Sequence, residues 1–250
     1  VIPLAESTII AGFLAFCRVG ACFMLMPGLS SVRVPLQVRL FIAIAVTMGL
    51  STYLWDQILP HADRSLAVLL PRIVSELMIG ALIGLLARIY VMALQFMGAG
   101  IAMLMGYTGM GSPGVQDGEP EAALAGIISF GALLLLFVFD FHHLVIRALV
   151  DSYAVAPPGA VFGARPALAD IGDTLGDSFL IALRLGSPFV AYALLVNLTI
   201  GFVNKLVPQI PVYFISLPFV LAGGLILVYL GLGTLLSLFA DGFGDIAIGG

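Results

Sequence analysis

The chain has 250 residues, of which 61% are hydrophobic and 10% charged, with a formal net charge of −4. Soluble domains carry about 25% charged and about 45–50% apolar residues. A soluble chain of this length could not bury so much apolar surface, so the composition excludes an ordinary soluble domain and defines a polytopic membrane protein. The absence of any basic cluster gives no case for nucleic-acid binding.

Membrane-spanning elements are helices or closed barrels. The apolar runs here are near 20 residues long and lack period-two alternation, so an all-α chain of membrane helices is expected. Residues 7–26 are read as a first membrane helix and not as a cleaved signal, since no basic segment precedes them. Arg18 lies deep in this run, and an Arg at that depth needs a partner inside the bundle. Cys17 and Cys22 are five apart, about 140° around the axis, and read as core thiols that cannot bridge within the helix.

A short connector, Ser30-Ser-Val-Arg-Val-Pro-Leu-Gln-Val-Arg39, carries Arg33 and Arg39, and Pro35 starts a second helix over 36–54. Tyr53 and Trp55 suit a membrane interface. Residues 56–65 are a polar connector with His61 as a solvated loop histidine. The next helical region, 65–106, is too long for one crossing, and a bend or tight hairpin is expected between Arg88 and Gly100. Within it Arg72, Glu76, Gly80, Gly84 and Arg88 step by four. Arg72 and Glu76 can pair at i, i+4, and Gly80 and Gly84 offer a small-residue surface to a neighbouring helix.

Residues 103–120 break this pattern with five glycines, two prolines and three methionines, Met103, Met105 and Met110. Gly and Pro at this density cannot continue a helix. The segment after Met105, 106–120, reads as a flexible, apolar-fronted loop.

The fourth apolar block, 121–152, holds Asp140-Phe-His-His-Leu-Val-Ile-Arg147 and Asp151. On a regular helix Asp140 and His142 stand about 200° apart, and His142 and His143 about 100° apart, so no metal-ligand set is expected there. Asp140, His143, Arg147 and Asp151 instead fall in one sector of about 80°, a polar stripe suited to mutual pairing or to a neighbouring subunit. His142 faces elsewhere, in a packing or a proton-transfer role.

Residues 153–177 read as an acidic, proline-punctuated loop. It is placed outside the cytoplasm by contrast with the Arg33/Arg39 connector and the Lys205 turn. The fifth block, 178–205, is interrupted at Ser187-Pro188 and presents Asn197, Gly201 and Asn204 on one face. A turn with Lys205 and Gln209 leads to the last block, 212–239, interrupted at Ser216-Leu-Pro218 and Gly223-Gly224. The two blocks form a hairpin kinked in each arm. No Walker loop, CxxC pair, HExxH helix or GxSxG elbow occurs, and no cofactor is expected.

Several of these pieces together resemble the FliR family, the R component of the flagellar type III export gate, whose injectisome counterpart is the T component. They are Arg18, Pro27, Arg33-Val-Pro35 and Arg39; Met105-Gly106 with Ser112-Pro113; and Phe139-Asp-Phe-His142 followed by Asp151-Ser-Tyr153 and Pro158-Gly159. The longest is Asn197…Gly201-Phe-Val-Asn-Lys-Leu-Val-Pro-Gln209…Phe214…Pro218. The set spans nearly the whole chain in order. It departs from the family pattern at Ala99 (usually Glu), Ser112 (Asp), Phe141 (Gly) and Lys205 (Arg).

The resemblance implies a non-enzymatic, multi-pass protein of the bacterial inner membrane at the flagellar basal body. One copy would join several P- and Q-type export-gate subunits, with membrane lipid around them and a B-type switch protein at the entrance. Exported unfolded protein would pass through. Residues 1–177 would be P-like and 178–250 a Q-like kinked helical hairpin. The loop at about 106–120, with Met103, Met105, Gly106, Met110, Ser112 and Pro113, would plug the channel. Arg18, Arg33, Arg39, Arg72, Glu76, Asp140, His142, His143, Arg147, Asn197, Asn204, Lys205 and Gln209 would make contacts between helices or subunits. Two other classes remain. One is a secondary transporter with a broken-helix substrate site near Pro188 and Pro218. The other is an intramembrane enzyme using His142 or the Asp140/His143 stripe.

Overall fold

A computed structural model describes residues 2–31, 34–61, 65–105, 111–113, 120–210 and 212–248. These form α1 (Ile2–Leu25), α2 (Leu36–Ile58), α3 (Leu66–Leu104), α4 (Ala123–Val138), α5 (Phe141–Val155), α6 (Ala164–Leu206) and α7 (Val212–Ile248). A 3-10 turn, Leu59–His61, follows α2. One short antiparallel ladder pairs β1 (Gly111–Pro113) with β2 (Pro120–Ala122), Ser112 opposite Glu121. The chain is an all-α polytopic membrane protein with that one small ribbon. Segments of α1, α2, α3 and α6 are each long and apolar enough to cross a membrane.

Four local expectations change. First, α3 runs unbroken for 39 residues through Gly98 and Gly100. Glycines within a run this apolar do not stop the i to i+4 hydrogen bonds, because no water competes for them. Second, most of 153–177 is helix, since α6 begins at Ala164. Pro166 falls in its first turn, where N–H groups have no intrahelical acceptor. Third, α6 and α7 continue through Pro188 and Pro218, for 43 and 37 residues. Pro188 has no N–H for the Arg184 carbonyl, and the Ser187 hydroxyl donates to that carbonyl at 2.8 Å instead. Fourth, the last block does not end at 239: α7 runs on to Ile248.

The chain divides into two compact units. The first comprises Val1–Tyr90, Asp140–Thr174 and Gly244–Gly250, and the second Val91–Phe139 and Leu175–Phe243.

In the first unit, Ala11, Leu14 and Ala15 of α1 pack against Leu54 and Ile58 of α2 and Tyr153 of α5. Positions 11, 14 and 15 share one helix face, as do 54 and 58. The packing of α3 on α1 depends on glycine. A Cβ at Gly80 would meet the Arg18 carbonyl, and one at Gly84 the Cys22 carbonyl. Cys17 and Cys22 are both buried free thiols.

In the second unit, side chains from the end of α3, from Met105 just beyond it and from α6 fill glycine positions on α6 and α7. Met97 lies against Gly186, Tyr192 against Gly223, and Met105 against Gly224. The Tyr192 hydroxyl also donates to the Val220 carbonyl at 2.9 Å. Phe96 and Phe179 pack with ring centroids 6.4 Å apart.

Candidate functional site

The most buried polar group in the first unit is Arg18, fully enclosed, with Glu76 beside it at 2% exposure. Its Nε donates to Glu76 Oε2 at 2.6 Å and one terminal nitrogen, Nη2, to Oε1 at 3.1 Å. Nη1 donates to Ser152 Oγ at 2.9 Å, and Nη2 also to the Ala156 carbonyl at 2.9 Å. The guanidinium carbon lies 3.8 Å from the centroid of the Tyr153 ring. Four of the five guanidinium hydrogens thus have acceptors, and the cation has both a carboxylate and a π face.

This arrangement has a sequence cause. Arg18 and Cys22 lie one turn apart on α1. Glu76, Gly80 and Gly84 lie on one stripe of α3. The glycines let the two backbones approach, and that approach brings the short Glu76 side chain within reach of Arg18. Ser75, the neighbour of Glu76, donates from its hydroxyl to the Ala160 carbonyl at 2.7 Å, so the segment after α5 is tied to α3 as well. Ser152, Tyr153 and the Ala156 carbonyl were the partners that spacing alone did not reveal. They come from a helix more than 130 residues along the chain.

Arg39 serves its own connector. Its guanidinium donates to the Ser31 carbonyl at 2.6 Å and to the Val34 carbonyl at 3.0 and 3.1 Å, closing the turn before α2. Arg33 lies outside the described residues. Arg72 is half-buried on α3.

The Asp140 region departs from a regular helix. Asp140 stands before α5 with φ 58° and ψ 29°, in the left-handed region, and its side chain makes no capping hydrogen bond. Its carbonyl accepts from the His143 N–H at 2.8 Å. The separation of about 200° between Asp140 and His142 assumed helix through both residues. The left-handed turn removes it: Asp140 Oδ1 lies 3.8 Å from His142 Nε2 and 3.4 Å from His143 Nδ1. Further along, Arg147 Nε lies 3.7 Å from Asp151 Oδ2. Both side chains are exposed, where such a pair contributes little.

The loop residues are placed unevenly. Met103 is 71% exposed, whereas Met105 is buried against Gly224, its Sδ 2.7 Å from where a Cβ would stand. Ser112 and Pro113 are in the β1–β2 ladder, which joins the two arms of the loop. Gly106 and Met110 lie outside the described residues. Asn197, Asn204 and Lys205 of α6 and Gln209 after it are exposed. A shallow cleft between α6 and α7 includes Tyr192, Thr199 and Ser216. The hydroxyls of Tyr192 and Thr199 are already bonded to the carbonyls of Val220 and Leu195.

Long apolar helices tied to one another by inward-facing polar side chains define the class: an α-helical, multi-pass membrane protein. Residues 9–246 match the family described as "Bacterial export proteins, family 1", and the chain belongs to that family. It is similar to proteins named flagellar biosynthetic protein FliR. It is 28% identical to that of Caulobacter vibrioides over 235 residues, 93% of this chain and 92% of the relative. It is 24% identical to that of Aquifex aeolicus over 245 residues, covering 96% and 92%. It is 29% identical to that of Escherichia coli over 218 residues, covering 85% and 80%.

Proposed function

We propose that this chain is a non-enzymatic subunit of the flagellar type III export gate in the bacterial inner membrane. It joins P- and Q-type subunits to form the central channel for unfolded flagellar proteins. Residues 1–177 act as the P-like part and 178–250 as the Q-like hairpin, with a B-type switch protein at the entrance. The loop at about 106–120 plugs the closed channel. The observation that carries this is the family match over residues 9–246.

Two features of the fold support a subunit covered by protein partners. Helices of 39 and 43 residues are about 58 and 65 Å long, roughly twice the hydrocarbon thickness of a bilayer. Their apolar faces therefore need cover beyond what lipid supplies. Asn197, two turns before the end of α6, is exposed in the isolated chain; a membrane amide normally bonds to another helix. Large apolar side chains, Leu194, Leu198 and Phe202 of α6 and Phe219 of α7 among them, are also exposed.

The transporter alternative drew on broken helices at Pro188 and Pro218. Both helices are continuous there, and the nearby cleft has two of its hydroxyls already bonded to helix carbonyls. Coexpression with P- and Q-type hairpin proteins tests the gate assignment. A gate subunit copurifies with both in a detergent-stable complex. A chain that ignores both and purifies alone would overturn the proposal.

A further inference from the structure

The geometry points to a binding site for one divalent transition-metal ion, of zinc type, formed by Asp140, His142 and His143 at the start of α5. One donor atom from each of the three residues lies within 4.8 Å of the other two, and Asp140 Oδ1 is close to both His142 Nε2 and His143 Nδ1. In a tetrahedral site with bonds of about 2.0–2.1 Å, neighbouring donors stand about 3.3 Å apart. The observed 3.4 and 3.8 Å separations from the carboxylate are within about half an ångström of that spacing.

Consecutive histidines on a helix diverge by about 100° and do not ordinarily share an ion. Here they converge because they offer different nitrogens. His142 turns Nε2 toward the carboxylate, with its Nδ1 on the buried side. His143 offers Nδ1, the nitrogen nearer its own backbone. The two rings stack loosely, centroids 4.2 Å apart and planes 39° apart.

The third donor is supplied by backbone conformation. An Asp before a helix ordinarily turns its carboxylate onto the first N–H groups. The left-handed φ of Asp140 prevents this, and the carboxylate faces the imidazoles instead. Asp tolerates that conformation better than most residues. Two imidazoles and one carboxylate are a borderline-soft set, suited to zinc and its neighbours and poorly suited to calcium or magnesium. Asp140 and His143 are each 68% exposed, which leaves an entry path and room for a fourth ligand such as water. An ion held by all three would fix the left-handed backbone of Asp140 at the start of α5.

The test uses the full chain, purified in detergent through a tag free of histidine and stripped with a chelator. Cobalt(II) is titrated as the spectroscopic probe and zinc as the competitor. One cobalt per chain is expected, with the visible bands of a four-coordinate site, displaced by one equivalent of zinc. His142→Ala, His143→Ala and Asp140→Asn should each weaken cobalt binding at least tenfold, and His61→Ala should not. Asp140→Asn keeps the side chain's shape and guards against misfolding. Its helical circular dichroism should match the parent, while zinc raises the melting temperature of the parent alone. No saturable cobalt uptake, or uptake undiminished in the His142 and His143 variants, would overturn the site and leave Asp140 as a neighbour of the two imidazoles only.

Discussion

Glu76 receives the Arg18 guanidinium on both carboxylate oxygens, at 2.6 and 3.1 Å, one turn before the glycine that lets the two helices approach. The ion pair and the close helix crossing are one structural unit. An Arg–Glu pair taken out of water is a weak source of net stability, because desolvation opposes the attraction. Breaking it is different, since one charge is then left buried alone.

Arg18→Ala and Glu76→Ala should each lower stability by about 3–5 kcal/mol. Replacing both by apolar residues of similar size, Arg18→Met with Glu76→Leu, should be much closer to the parent than either alanine variant. Thermal unfolding in detergent checks this. If the double variant is as unstable as the single ones, the pair contributes specific attraction and not only mutual neutralisation.

Gly80→Ala and Gly84→Ala should both separate α1 from α3, because each added methyl meets backbone, which cannot rotate away. Overpacking of this kind costs about 1–3 kcal/mol, and both variants should weaken the Arg18–Glu76 contact as well. Gly12→Ala, with nothing within 4 Å, is the control. It should be neutral, or stabilising by about 0.5–1 kcal/mol through the better helix propensity of alanine. Melting temperatures of the three variants decide the point.

Ser187→Ala should destabilise α6 by about 1 kcal/mol, since the Arg184 carbonyl loses its donor. Adding Pro188→Ala restores a backbone N–H for that carbonyl, and the double variant should recover at least the lost stability. A Ser187→Ala effect unchanged by Pro188→Ala would show that the hydroxyl serves another purpose.

Met105 and Met103 should separate cleanly. Met105→Ala removes a buried side chain packed on Gly224 and should lower stability by about 2–5 kcal/mol. Met103→Ala, at an exposed position, should change stability by less than about 0.5 kcal/mol. Deleting Gly109–Gly118 should leave assembly with partner subunits intact while the closed complex leaks ions or small solutes. Unchanged permeability of vesicles carrying the deleted complex would remove the plug assignment.

Much of this architecture is legible in the residues. The apolar runs mark the helices, Pro35 marks the start of α2, and the four-residue stepping of Glu76, Gly80 and Gly84 marks a face for a close neighbour. The neighbour itself is not legible. Nothing in the spacing says that the face meets α1, or that Ser152 and Ala156 complete the Arg18 site from so far along the chain. Prolines mislead in the apolar helices, because Pro188 reads as a break until Ser187 is seen supplying the missing donor. Asp140 misleads for a related reason. Helical angles describe a residue only if it is in the helix, and its left-handed φ is a property of the fold that residue order does not disclose. Met105 shows the limit of composition: it belongs by sequence to a mobile-looking loop, yet its side chain fills a glycine gap.

The most direct measurement is the copy number of this chain in its native complex, read by mass spectrometry of the intact, detergent-solubilised assembly. A gate subunit predicts one copy together with several P- and Q-type subunits. A homo-oligomer of this chain alone, able to move a small solute across vesicles, would contradict it.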